Sequence, residues 1–130
     1  MEMIITEAVF ICALGGVLYG LIELLWRGFT HWTMVLCGGL CFLMMYLINT
    51  VCRKRLRKLT LCAAAVTLIE FFTGCIVNIM LGWQVWDYSD RPGNILGQIC
   101  PLFTLFWFLL SIPGTALCSR LRKRLSVLFP

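Results

Sequence analysis

The chain has 130 residues, of which 61% are hydrophobic and only 13% charged, and its mean hydropathy is +0.92. A water-soluble domain carries roughly 25% charged residues, so this composition excludes a globule solvated by water and leaves lipid as the medium. The formal net charge of +5 sits in two short tracts between apolar runs, a placement that fits membrane boundaries and excludes nucleic-acid binding.

Four apolar stretches are each long enough for a hydrocarbon core of ~30 Å, which takes ~20 helical residues. The first covers about 4–26. Its start, Met1-Glu2-Met3, carries no basic residue and no small-residue cleavage site follows, so it reads as a membrane helix and not as a signal peptide. Cys12, Gly16, Gly20 and Glu23 recur on one of its faces, with Arg27 a further turn on. Gly16-x-x-x-Gly20 permits close approach of another helix.

The second stretch covers about 32–51. A tract of Arg53, Lys54, Arg55, Arg57 and Lys58 follows it, and the third stretch covers about 59–81. There Thr67, Glu70, Gly74 and Asn78 share a face. About 17 residues, 82–98, then form the one long connection, rich in turn formers, with a turn predicted around Asp90-Arg91-Pro92-Gly93. Loops of this length are often functional; the plainer reading is a solvated connector anchored by Trp83 and Trp86. The fourth stretch, about 99–118, carries Thr104, Trp107, Ser111 and Thr115 on one face and a break at Pro113-Gly114 that frees a carbonyl near Leu109. Arg120, Arg122, Lys123 and Arg124 follow.

Nine of the eleven basic residues thus fall on one side, against Arg27 and Arg91 on the other. The positive-inside rule puts both termini in the cytoplasm of a multi-pass protein of the cell membrane. Trp26, Trp32, Trp83 and Trp86 form an aromatic belt at the opposite boundary.

Ionisable residues inside a span are expensive and mark protein or water contacts. Glu70 lies mid-helix and Glu23 near the outer end of the first helix, level with Asn78. Glu70 is roughly 12 Å deeper at 1.5 Å per residue; Glu7 is near enough to the inner interface to reach it. In one reading Glu70 and Glu23 line a polar path from the outer side. In the other, Glu23 pairs with Arg27 and a protonated Glu70 hydrogen-bonds a neighbouring helix. The eight cysteines form no CxxC pair, and the single histidine, His31, lies far from Cys37-x-x-x-Cys41. They read as reduced packing residues, with no metal site. Neither a GxxxxGK[ST] phosphate loop nor HExxH nor GxSxG is present, so no enzyme activity and no cofactor are expected.

Glu70-Phe71-Phe72-Thr73-Gly74, Asn78, Leu81-Gly82-Trp83, Trp86-Asp87-Tyr88-Ser89, Pro92, Asn94 and Gly97-Gln98-Ile99-Cys100 together resemble the ABC-transporter type IV (CmpB-like) family. The match is best over about 68–108. Gly20-x-x-Glu23 resembles the family's Gly-x-x-x-Glu element with one residue fewer. The resemblance implies a bacterial membrane protein of transporter character and adds weight to Glu70 and the WDYS segment.

The expectation is an all-α polytopic membrane protein, a four-transmembrane-helix bundle in a single integral membrane domain (1–130). Its function is that of a permease-like transporter component for a small solute or ion. The alternative is a non-transporting accessory subunit that stabilises or regulates a partner. The expected partners are membrane lipid and, because four short helices enclose little volume, a second copy or a partner membrane subunit docked on the glycine face of the first helix. The candidate site comprises the intramembrane residues Glu70, Asn78, Glu23, Gly74 and Arg27. It also includes the outer-loop residues Trp86, Asp87, Tyr88, Ser89, Pro92 and Asn94.

Overall fold

Backbone N–H and C=O groups find no partner in hydrocarbon, so a chain of this composition satisfies them within helices. The computed structural model describes residues 5–128; the Met1-Glu2-Met3 start and residue 4 lie outside the described residues. Among those described, 78% are helical and none lies in a strand. The order is α1 (Ile5–Arg27), α2 (Trp32–Val51), α3 (Arg55–Gly74), a π-helical continuation of α3 (Cys75–Met80) and α4 (Pro101–Leu128). All four are long and apolar enough to cross a membrane, and between 22% and 44% of each span is buried inside the protein. The remaining apolar surface, with Leu25 89% and Val51 82% exposed, faces lipid in a multi-pass membrane protein.

The basic tracts are more helical than expected. Arg55, Arg57 and Lys58 form the first turn of α3, and α4 continues through Arg120–Arg124 to Leu128 without interruption. Nor does α4 break at Pro113-Gly114. The helix runs through Pro113, and a Cβ added at Gly114 would lie 3.0 Å from the Met45 sulfur, so this position admits α2. His31 caps α2, its Nδ1 accepting from the Thr33 amide at 3.2 Å.

Packing divides the bundle. α1 and α2 form the closest pair. A Cβ at Gly16 would lie 2.9 Å from the Val35 carbonyl oxygen, and one at Gly39 would lie 2.6 Å from that of Cys12. The glycine face of α1 is therefore occupied within the chain by α2, and it is not the free docking face expected from the sequence. α3 packs on α4, and both pack on α2. α1 and α4, by contrast, meet through rings, Tyr19 to Trp107 at 5.8 Å and Trp26 to Phe106 at 6.5 Å between centroids.

The core between the helices includes Ile11, Phe42, Tyr46, Val66 and the thiols of Cys37, Cys41, Cys62 and Cys118. All eight cysteines are free, and six are buried, in keeping with small apolar packing residues. Polar ties join the helices at three places. Thr67 meets Thr104 at 3.1 Å, Asn49 donates to Ser119 at 3.0 Å, and Tyr46 donates to Glu7. Glu7 is thus engaged with α2, where the sequence left it free to reach the interface.

Candidate functional site

Glu70 lies on the inward face of α3, one turn before Gly74, and is 5% exposed. Its Oε2 accepts from the Tyr88 hydroxyl at 3.2 Å and its Oε1 from Trp107 Nε1 at 3.5 Å. One donor comes from the outer loop and the other from α4, so this carboxyl gathers elements distant in sequence. Both donors are neutral. Burial, then the adjoining Glu70 carboxyl, pushes the Tyr88 phenol upward, which keeps it a donor.

Glu23, on α1, is 6% exposed. Its Oε2 pairs with Arg27 Nε at 2.6 Å and its Oε1 accepts from the Tyr19 hydroxyl at 2.9 Å. Arg27 also donates through Nη1 to the Val85 carbonyl at 3.1 Å and lies 4.4 Å from the Phe29 ring centroid. Its buried Nη2 has no hydrogen-bond partner among the described residues. The ion pair expected from the i, i+4 spacing is present, and it also holds the start of the outer loop.

The loop turns inward. Leu81 N bonds Ile76 O across five residues and Trp83 N reaches Val77 O, so α3 widens before it ends. Such π segments are frequent at functional sites. Gln84 adopts a positive φ of 51°, and after it Val85 and Trp86 enter the bundle. Trp86 is 5% exposed, its Nε1 donating to the Gln98 carbonyl at 3.1 Å. It therefore leaves the expected interfacial belt, in which Trp26, Trp32 and Trp83 remain exposed. Asn78 is the clamp. Its Oδ1 accepts from the amides of Val85 at 2.7 Å and Trp86 at 3.4 Å, while Nδ2 donates to Gln98 Oε1 at 2.7 Å. Gly74 leaves room for this return, since a Cβ there would lie 2.9 Å from Trp86 Cζ2.

Other motif residues shape the loop from outside. Asp87 accepts from the Ser89 amide at 2.9 Å, and bonds from the Ser89 hydroxyl and amide hold its exposed carboxyl below the usual range. Asn94 donates to the carbonyls of Ser89 and Arg91 and accepts from the Gly97 amide. The predicted turn closes one residue later than expected, from Arg91 to Asn94. Pro92 stands second and Gly93, with φ of 73°, third, the pattern of a type II turn. Tyr88 stacks on Phe103 with centroids 4.7 Å apart.

Two adjoining cavities result. One, of about 310 Å³, is bordered by Tyr19, Cys37, Glu70, Trp86, Trp107 and Pro113 among others. The other, of about 300 Å³ and nearer the loop, is bordered by Tyr19, Glu23, Arg27, Trp86, Tyr88 and Trp107 among others. The candidate residues thus separate into two groups. Glu70, Glu23, Arg27, Trp86 and Tyr88 border the cavities. Asn78, Gly74, Asp87, Ser89, Pro92 and Asn94 hold the backbone that positions them. Tyr19 and Gln98 were absent from the expected set; the four-residue spacing from Tyr19 to Glu23 was the available signal. Among the described residues no three His, Cys, Asp or Glu side chains gather as a metal site.

Over residues 16–128 the chain matches the family described as Putative ABC-transporter type IV. No curated protein and no solved structure matches it.

Proposed function

The chain belongs to that family, and on this premise we propose that it is a permease-like component of the cell membrane that handles a small solute or ion. It acts with a second copy or a partner membrane subunit and performs no catalysis of its own. One observation carries the reading. Glu70 is buried beside an apolar cavity with two neutral donors and no basic partner in contact among the described residues. A carboxyl in that setting is expensive to maintain for packing alone, and intramembrane acids of this kind mark solute or ion pathways. The positive-inside rule supports cytoplasmic termini and, with them, an 82–98 loop on the outer side. These 130 residues carry no phosphate loop, and nucleotide hydrolysis is no part of the role proposed for them.

A cysteine placed at Leu110, which borders both cavities, tests the pathway. An impermeant thiol reagent applied from outside is expected to modify it in the assembled protein, with the site read by peptide mass. Complete inertness would remove the water path. The pairing of Thr67 with Thr104 and of Asn78 with Gln98 favours a second reading, in which the polar stripes bind helices together and the protein stabilises a partner. In that case Leu110→Cys stays unmodified while the protein remains folded.

A further inference from the structure

The cavities beside Glu70 select for charge as well as size. Eight aromatic side chains border them, Tyr19, Trp86, Tyr88 and Trp107 among them. Aromatic faces attract cations, and more strongly where water is excluded. Each cavity is bordered by one carboxyl, Glu70 in the first and Glu23 in the second, and among the described residues only Glu23 has a basic partner in contact. Glu23 is held by Arg27 at 2.6 Å, whereas among the described residues Glu70 receives only the Tyr88 hydroxyl and the Trp107 indole N–H.

The remaining wall decides between kinds of cation. It is apolar, with Met34, Ile22 and Leu110 shared by both cavities. A small inorganic cation needs a shell of oxygen ligands to replace its water, and these walls do not supply one. A cation that carries its charge on an apolar body needs one counter-charge and otherwise oily or aromatic contact. An anion fits poorly: Arg27 Nη2, which has no hydrogen-bond partner among the described residues, would draw it, but the Arg27 charge is already met by Glu23, and the Glu70 carboxyl borders the adjoining cavity. The seam between α1 and α4, where aromatic rings meet and both cavities are bordered by residues of the two helices, is the route of entry from the bilayer side, where an amphipathic cation concentrates.

We propose that this chamber binds lipophilic organic cations, amines or quaternary onium ions, with Glu70 as counter-charge and Tyr19, Trp86 and Trp107 as the aromatic wall. The proposal rests on the pathway reading above and names its substrate class. The test is saturable binding of radiolabelled tetraphenylphosphonium to the detergent-purified full chain. Wild type is expected to bind it and to release it to excess unlabelled tetraphenylphosphonium. Tetraphenylborate, of the same shape and opposite charge, should compete at least tenfold less well. Glu70→Gln should weaken binding at least tenfold at an unchanged unfolding midpoint.

Absence of saturable binding, equal competition by the two ions, or unchanged affinity in a folded Glu70→Gln protein would each overturn the proposal. If that variant does not fold, the competition between the two ions on wild type decides alone. Glu70-dependent binding without uptake into proteoliposomes would uphold the site and remove the transport function. External modification of Leu110→Cys without tetraphenylphosphonium binding would uphold the path and remove the cation class.

Discussion

Asn78 shows how much one side chain can hold in this protein. Replacing it with Ala leaves the Val85 amide and the Gln98 carboxamide oxygen without their short partners. An unsatisfied buried group costs ~1–3 kcal/mol, so Asn78→Ala is expected to destabilise the folded protein by about 3 kcal/mol. Thermal unfolding of the purified chain would register this as a lower midpoint, and an unchanged one would mean the loop is held elsewhere. Tyr19→Phe, which removes one bond to Glu23 and keeps the ring, should cost about 1 kcal/mol by the same measurement. Glu70, Glu23 and Arg27 were legible because ionisable residues stand out in an apolar run, and the i, i+4 spacing named a partner. Tyr19 was not, because a tyrosine among leucines looks like core. The helical stripe puts Asn78 on the face of Glu70 and level with Glu23, but its partners lie in the returning loop, a contact without local signature.

At the scale of elements, the π-helical segment and the glycine contacts make opposite demands. Deleting Ile79 from Cys75–Met80 would restore an ordinary α-helical register and carry Asn78 away from Val85. Hydrogen exchange of the Val85 and Trp86 amides should accelerate as a result; unchanged protection would show that the wide winding is dispensable. In the α1–α2 pair, Gly39→Ala places a Cβ 2.6 Å from a backbone oxygen that cannot rotate away. A loss of about 1–3 kcal/mol is expected there. Gly20→Ala meets only Val35 at an ordinary 3.5 Å and should stay within about 0.5 kcal/mol. Comparison of the two unfolding midpoints checks both. The four helices could be read because apolar run length is a strong signal. Their extensions at Arg55–Lys58 and Arg120–Leu128 were obscured by charge, which marks the membrane boundary but does not end a helix. The inward path of Trp86 was hidden because an aromatic residue near a span end suits an interface and a core equally.

For the whole molecule the first question is which way round it lies. Cysteines introduced at exposed Ser89 and Ser126, in intact cells treated with an impermeant thiol reagent, should separate cleanly. Ser89→Cys is expected to react and Ser126→Cys to stay protected until the membrane is opened; the reverse pattern would invert the assignment. Packing adds a consequence for how the protein is made. α1 and α2, its most closely fitted pair, are also the first to leave the ribosome, and chains generally build from the N-terminal part onward. This hairpin can therefore form before α3 exists, with α2 already presenting the surface on which the later helices assemble. Since α4 is synthesised last and barely touches α1, the side of the bundle beside Glu70 is the last to be enclosed. The newly made protein matures with its prospective binding chamber open to the surrounding lipid.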